Sequence, residues 1–282
     1  MLQLAIRDVD VSFNQDRLVL VHEWRDVAGT VCAHGYVGDN AGWIRWPGFV
    51  TFRFAEDRLV EAWPERLVDP NRIRDLFYRT VEPLILQALG WETLHASAVM
   101  MSAGLVAFCG DCESGKSTIA YGLSRRGYLQ HADDSVVVQP GPPGVRALNL
   151  PFGVRLRPAS AAFLGFTSED REFQDVVPIE RYDSSTVSTR PLSAVFALTR
   201  VPEGDPNVRQ LSPSDAFKAL LPNARCFNAE DSASRRRLLN HYLEIVSVVP
   251  VYDLRFPSGL NHLATVLDSI ERTLGVAQAE PV

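Results

Sequence analysis

The stretch GDCESGKS, Gly110 to Ser117, constrains this 282-residue chain more than any other. It satisfies G-x-x-x-x-G-K-[ST], a pattern whose glycines let the backbone turn sharply enough for consecutive N–H groups to point at one anion. In such a loop Lys116 neutralises β- and γ-phosphate oxygens and Ser117 places its hydroxyl on Mg²⁺. The helix that opens there adds its positive N-terminal end. The residues Gly110, Asp111, Cys112, Glu113, Ser114, Gly115, Lys116, Ser117 and Thr118 are therefore expected to cradle ATP with Mg²⁺. The bare pattern arises by accident in roughly one chain in a hundred of this length, so its surroundings decide its meaning. An apolar run, LVAFC, precedes it, and STIAYGLSRRG follows, with Ile119, Ala120 and Leu123 on one helical side and a stop at Gly127.

The chain before the loop has a different texture. Up to about residue 70, apolar and polar positions alternate in LQLAIRDVDVSF, RLVLVHEW and FVTFRFAEDRLVEAW, with Gly and Pro between, which predicts antiparallel strands. From Asn71 to Leu89 the apolar spacing lengthens to three or four, a helix that Pro83 is expected to kink. The boundary is placed after it, giving a β-rich N-terminal domain over 1–88 and an α/β catalytic domain over 89–282. Strands are expected around Thr93 to Val99, at Val136 to Val138 and at Ala194 to Arg200, and amphipathic helices at PSDAFKALL, RRRLLNHYLEIVS and LNHLATVLDSIERTLG.

A nucleotide site also needs a carboxylate for the metal, and transfer to an alcohol needs a base near the acceptor oxygen. Asp133 and Asp134 follow Lys116 by 17 and 18 positions, the distance at which a parallel strand returns beside the loop. Two adjacent carboxylates there divide the labour, one on Mg²⁺ and one on the acceptor, and an Asp pair in a turn is otherwise a solvated cap. His95 stands 21 positions before Lys116 on the strand leading to the loop, where a packed, hydrogen-bonded histidine is the ordinary expectation.

The run LHASAVMMSAGLVAFCGDCESGKSTIAYGLSRRGYLQHADDSV, Leu94 to Val136, combines that His, the phosphate loop, and R-G followed by A-D-D. In order and spacing these resemble the catalytic core of the HPr kinase/phosphorylase family and its related serine kinases. The resemblance implies a fold of the phosphoenolpyruvate-carboxykinase type and transfer of phosphate to a serine hydroxyl. It matches Asp134 to the family's general base, Ser117 to its metal ligand, Lys116 to its phosphate-binding lysine and His95 to its active-site histidine. Asp133 then supports the metal or orients its neighbour, and the two carboxylates are interchangeable at this level. Thr118 stands where the bifunctional enzymes carry Glu, and LNLPFGVRLRP, Leu148 to Pro158, takes the place of their glycine-rich signature. An acceptor other than the HPr carrier protein therefore fits better: a peptide, another protein or a small molecule with a hydroxyl. Relatives that modify biosynthetic peptides offer one precedent, and family members often form oligomers.

A net charge of -6 and a pI near 5.6 argue against a broad basic surface for nucleic acid. The start, MLQLAIRDVDVSF, carries Arg7, Asp8 and Asp10 where a signal peptide needs an apolar run, so no membrane role and a cytoplasmic setting are expected. Cys109 and Cys112 spell C-x-x-C, but the phosphate loop accounts for the same residues, and reduced thiols are expected throughout. Arg155 and Arg157 are within reach of a phosphate or an acidic acceptor, or else line a solvated strand face. Arg235, Arg236 and Arg237 head a helix, and Trp24, Trp43, Trp46 and Trp63 either pack between strands or form a docking surface. Two rivals to a serine kinase remain: a nucleotide-gated module without transfer, and an ordinary P-loop kinase of small molecules.

Overall fold

In a computed structural model, residues 2–8, 13–26, 28–38, 40–150, 153–165, 176–177 and 188–275 are described. Contacts divide the chain into two compact units, Met1–Trp91 with Arg225–Leu239, and Glu92–Ala224 with Asn240–Val282. The stretch 225–239 thus groups with the first unit rather than with the residues after 88. Its anchors are Phe227, whose ring meets Phe54 edge-on at 5.2 Å and whose N–H donates to Gln87 Oε1 at 2.9 Å, and Arg237, which donates to the Gln87 carbonyl at 2.9 Å.

The first unit is a sheet of β1 (Gln3–Ile6), β2 (Val19–Arg25), β3 (Val31–Gly38), β4 (Ala41–Trp46), β5 (Val50–Phe54) and β6 (Leu59–Pro64). Its order is β1-β6-β5-β4-β3-β2, antiparallel apart from the parallel β1–β6 pair. Strands β3 and β4 form a hairpin that the alternation pattern does not single out, because Gly and half-buried aromatics interrupt it. The helical stretch comprises α1 (Pro70–Leu76), a π-helical turn at Phe77–Val81, and α2 (Glu82–Ala88). Pro83 has no N–H for the carbonyl one turn back, and the wider turn before it absorbs the missing bond and the ring. Ile73, Phe77, Val81, Leu84 and Ile85 of this stretch are buried, and Phe77 stacks on Phe52 of β5 at 6.2 Å. Trp43 and Trp63 stack at 6.0 Å with Arg53 over Trp43, so these two rings pack on each other across the sheet.

The second unit contains β7 (Glu92–Leu94), β8 (Ala96–Met101), β9 (Gly104–Cys109), α3 (Lys116–Ser124), β10 (Leu129–Ala132), β11 (Val136–Gln139) and β12 (Arg146–Leu148). It continues with β13 (Val154–Arg155), α4 (Pro158–Phe163), β14 (Val176–Val177), β15 (Thr189–Val201), β16 (Asn207–Gln210) and α5 (Pro213–Leu220). The short β17 (Ala224–Arg225), α6 (Ser232–Val248), β18 (Val251–Pro257) and α7 (Leu263–Thr273) complete the described chain. The main sheet runs β10-β8-β9-β15-β12-β11-β7-β17, with β18 parallel to β15 and β16 antiparallel to β18. The result is a mixed α/β architecture. Ile119, Ala120 and Leu123 of α3 join Val106, Phe108, Phe196, Leu254 and, from α7, Val266, Leu267 and Ile270 in one buried cluster. That burial clamps the first turn of α3 against the end of β9, and truncating a residue such as Leu123 there costs about 2–5 kcal/mol.

The spacing of the acidic pair predicts a parallel strand returning beside the loop. β10 does run parallel to β9 but one strand removed, since it pairs antiparallel with β8, which pairs antiparallel with β9. The tight turn between Met101 and Gly104 folds β8 back into the adjoining slot before β10 arrives, and the parallel neighbour of β9 is β15. The strand around Thr93 to Val99 is likewise two strands, broken at His95. Among the described residues no helix is long and apolar enough to cross a membrane.

Candidate functional site

The loop leaves β9 at Gly110 and enters α3 after Gly115. Three of its residues have positive φ: Gly110 at 147°, Glu113 at 68° and Gly115 at 104°. Both glycines are favoured by φ, and Gly110 is required by space as well. A Cβ at Gly110 would stand 2.9 Å from the Leu198 carbonyl oxygen, and one at Gly115 would stand 2.7 Å from Arg200 Nη2. Gly115 is the N-cap of α3 and supplies no side-chain cap, so the first-turn N–H groups keep the unsatisfied, anion-seeking character of a helix start. Inside the loop the buried Ser114 hydroxyl has no hydrogen-bond partner among the described residues. An orphaned donor, glycine-only turns and an uncapped helix end all suit a bound polyanion.

Lys116 is buried, and its Nζ donates to the carbonyls of Gly110 at 2.9 Å and Asp111 at 3.0 Å. Burial lowers its pKa, opposed by the nearby carboxylates of Asp134 and Asp133. The lysine, the loop carbonyls and both acids are thus in one electrostatic neighbourhood.

Asp133, only 4% exposed, follows the end of β10. Its Oδ1 accepts from Ser97 Oγ at 2.5 Å and its Oδ2 from the Arg155 N–H at 3.0 Å, and Ser117 also hydrogen-bonds to it. Burial raises its pKa, while these donors favour the ionised form and the charge of Asp134 opposes it. A buried carboxylate touching the Ser117 hydroxyl is a hard-oxygen pair that suits Mg²⁺, which is typically held by one or two protein oxygens plus phosphate and water. Among the described residues no group of three or more His, Cys, Asp or Glu is arranged to hold a metal by itself.

Asp134 adopts a left-handed φ of 66°, a region that Asp enters more readily than most side chains. This turn aims its carboxylate at His95, whose Nδ1 lies 3.1 Å from Asp134 Oδ1 and 3.0 Å from the Asp134 carbonyl. Both side chains are about one-third exposed, 30% and 35%, so the pair opens to solvent while Asp133 does not. The two acids are therefore not equivalent in the fold: one is enclosed against Ser117, the other is open beside a histidine.

The loop with Lys116 and Ser117, and Asp133, Asp134 and His95, lie together here, and other residues that sequence reasoning missed join them. Asn223 accepts from the Gly110 N–H through Oδ1 at 2.9 Å, accepts from the His95 N–H through its carbonyl at 2.7 Å, and donates to the Ala219 carbonyl at 3.1 Å. It ties the histidine to the loop from 113 positions away, and nothing in LPNAR signals that role. Ser97 and Arg200 were also missed. Arg200 lies on the Phe256 ring at 4.2 Å, donates to the Pro257 carbonyl at 3.0 Å, and abuts Gly115. Thr118 donates to Ser160 at 3.2 Å, and Glu113 pairs with Arg157 at 2.6 Å. The C-x-x-C spelling carries no redox geometry: Cys109 is fully buried with its thiol pushed up to about 12, and both cysteines are free. Arg237 serves the first unit through Gln87 and is not part of this group.

No protein-family model matches the sequence, and no curated protein matches it at a significant level. Among solved structures, the HPr(Ser) kinase/phosphatase from Coxiella burnetii matches at 14% identity over 64% of this chain and 96% of its own, with a TM-score of 0.34. The likeness is a distant structural resemblance to that protein.

Proposed function

We propose that the chain is an ATP- and Mg²⁺-dependent kinase of the HPr-kinase-related type. Its acceptor is a serine hydroxyl of a peptide or protein, a biosynthetic precursor peptide among them, or a small-molecule alcohol. The observation that carries this reading is the pairing of Asp133 with Ser117 and of Asp134 with His95 around one glycine loop. When bound, Mg·ATP supplies the electrophilic phosphorus and the shared metal charge that phosphoryl transfer requires. Lys116 exchanges its loop carbonyls for phosphate oxygens, and Ser117 with Asp133 holds the metal. Asp134 receives the proton of the acceptor hydroxyl, and His95 keeps that carboxylate oriented. The difference in burial between the two acids supports this division of roles. The open carboxylate is the one an acceptor can approach.

The test is incubation of the full chain with Mg·ATP and a screen of serine peptides and cell extract, with Lys116→Ala and Asp134→Asn alongside. Lys116→Ala is expected to abolish nucleotide binding. Asp134→Asn is expected to lose transfer by about 10³-fold while keeping ATP affinity within a few-fold. Transfer at the normal rate by Asp134→Asn removes its role as base. Tight ATP binding with no phosphorylated product in any fraction favours a nucleotide-gated module instead.

A further inference from the structure

The segment from Val154 to Leu164 touches the site at several separate places. Its Arg155 N–H binds Asp133, its Ser160 hydroxyl accepts from Thr118, and its Arg157 guanidinium reaches Glu113 in the middle of the glycine loop at 2.6 Å. Below these contacts Val154 and Leu156 are buried with Tyr121 of α3, and Ala161 and Leu164 pack against them. Alternation along this extended stretch sends residues 154 and 156 inward and leaves 155 and 157 exposed, with Arg157 reaching the loop. Arg157 is therefore delivered to the loop by a packed support, although its own side chain is open to water.

The Arg157–Glu113 pair is peculiar for its place. A carboxylate in the centre of a loop that cradles phosphate repels the ligand, and Arg157 cancels that charge. The two side chains are 66% and 61% exposed, so their attraction is weak and readily exchanged. A polyphosphate offers the same guanidinium more negative charge and a matching forked acceptor geometry.

We propose that Arg157 is a second phosphate-binding cation of this site, which leaves Glu113 for the bound triphosphate, so that Glu113 competes with the nucleotide for it. The inference rests on the nucleotide-binding reading above and adds to it a residue and a regulation of affinity. The pair works as a latch. With phosphate present, the segment carrying Arg157 is drawn onto the nucleotide. Without it, Glu113 keeps the arginine at the loop and away from unrelated anions.

The experiment is calorimetric titration of Mg·ATP into the full chain and into Arg157→Gln, Arg157→Lys, Glu113→Gln, the Arg157→Gln/Glu113→Gln pair and Lys116→Ala. Arg157→Gln is expected to weaken binding by about tenfold, and Arg157→Lys by less, since it keeps charge and loses the fork. Glu113→Gln is expected to tighten binding about threefold, and this gain should largely vanish in the Arg157→Gln background, the signature of coupling. Weaker binding by Glu113→Gln, an equal gain in both backgrounds, or unchanged affinity in Arg157→Gln overturns the latch. Those results leave the nucleotide reading intact if the parent chain binds and Lys116→Ala does not. Failure of the parent chain to bind Mg·ATP sinks both. Equal thermal midpoints across the Arg157 and Glu113 variants, expected from their exposure, separate a binding effect from a folding one.

Discussion

Both units of this protein bury carboxyls, and Glu82 of the first and Asp133 of the second are met by very different sets of donors. Glu82 of the first unit is fully enclosed, accepts a hydrogen bond from the Leu2 N–H at 3.3 Å, and leaves its second oxygen without a partner among the described residues. Burial pushes its pKa to about 7. Asp133 of the second unit is nearly as buried but is met by Ser97, Ser117 and the Arg155 amide, all of which favour its charged form. Burial raises the pKa of both, but the donors around Asp133 oppose that rise, whereas Glu82 has a single backbone N–H to do so and is driven up to about 7. Burial is common to both, so it is the donor set that separates a candidate metal ligand from a structural acid.

The sharpest way to break that contrast is to neutralise each acid in turn. Asp133→Asn keeps the shape and removes the charge, and phosphoryl transfer is expected to fall by about 10³-fold or more, read as kcat/KM at saturating Mg²⁺. Retention of activity would place the metal elsewhere. Glu82→Gln is expected to leave transfer unchanged and to act on stability alone. The folded state holds the Glu82 proton up to about pH 7, whereas an ordinary Glu releases it near 4.5. Its penalty is therefore absent below the lower value, grows as pH rises between the two, and is complete above pH 7. Glu82→Gln should accordingly stabilise the first unit at pH 8 by on the order of 3 kcal/mol and do nothing at pH 4, measured by denaturant unfolding at both.

The second unit has the opposite acid flank. His131 is buried and held neutral, its pKa pushed down by burial from 6.5 to about 4. The unfolded chain takes up that proton first as pH falls, so this unit loses stability between about pH 6.5 and 4, where the first unit gains it. Unfolding transitions that move apart with pH, and converge in a Glu82→Gln/His131→Phe variant, would sharpen the comparison. The smallest effect expected is that of Asn223→Ala. Removing Oδ1 leaves the Gly110 N–H without its partner and loosens the loop by about 1–2 kcal/mol. It should raise KM for ATP several-fold with little change in stability. An unchanged KM would make Asn223 a bystander.

How far the chain could be read without coordinates follows from how local each feature is. The glycine loop is legible because a phosphate-binding chemistry would demand glycines, a lysine and a hydroxyl at contiguous positions, and a run of eight residues carries the whole pattern. The core face of α3 was legible for the same reason, since Ile119, Ala120 and Leu123 are set by helical period alone. The order of strands beside the loop was not, because the β8 hairpin takes a slot that no spacing rule reserves. Nor was the identity of the enclosed acid: Asp133 and Asp134 are neighbours in sequence and differ only in what the folded chain brings to each. Asn223, Ser97 and the Arg157–Glu113 pair act through contacts across 36 to 113 positions, and such contacts are chosen by topology and packing. The sequence by itself determined where a glycine loop suited to a polyanion lies; the tertiary structure decided which of the two neighbouring carboxylates is open, because solvent access is a property of the surroundings and not of the residue.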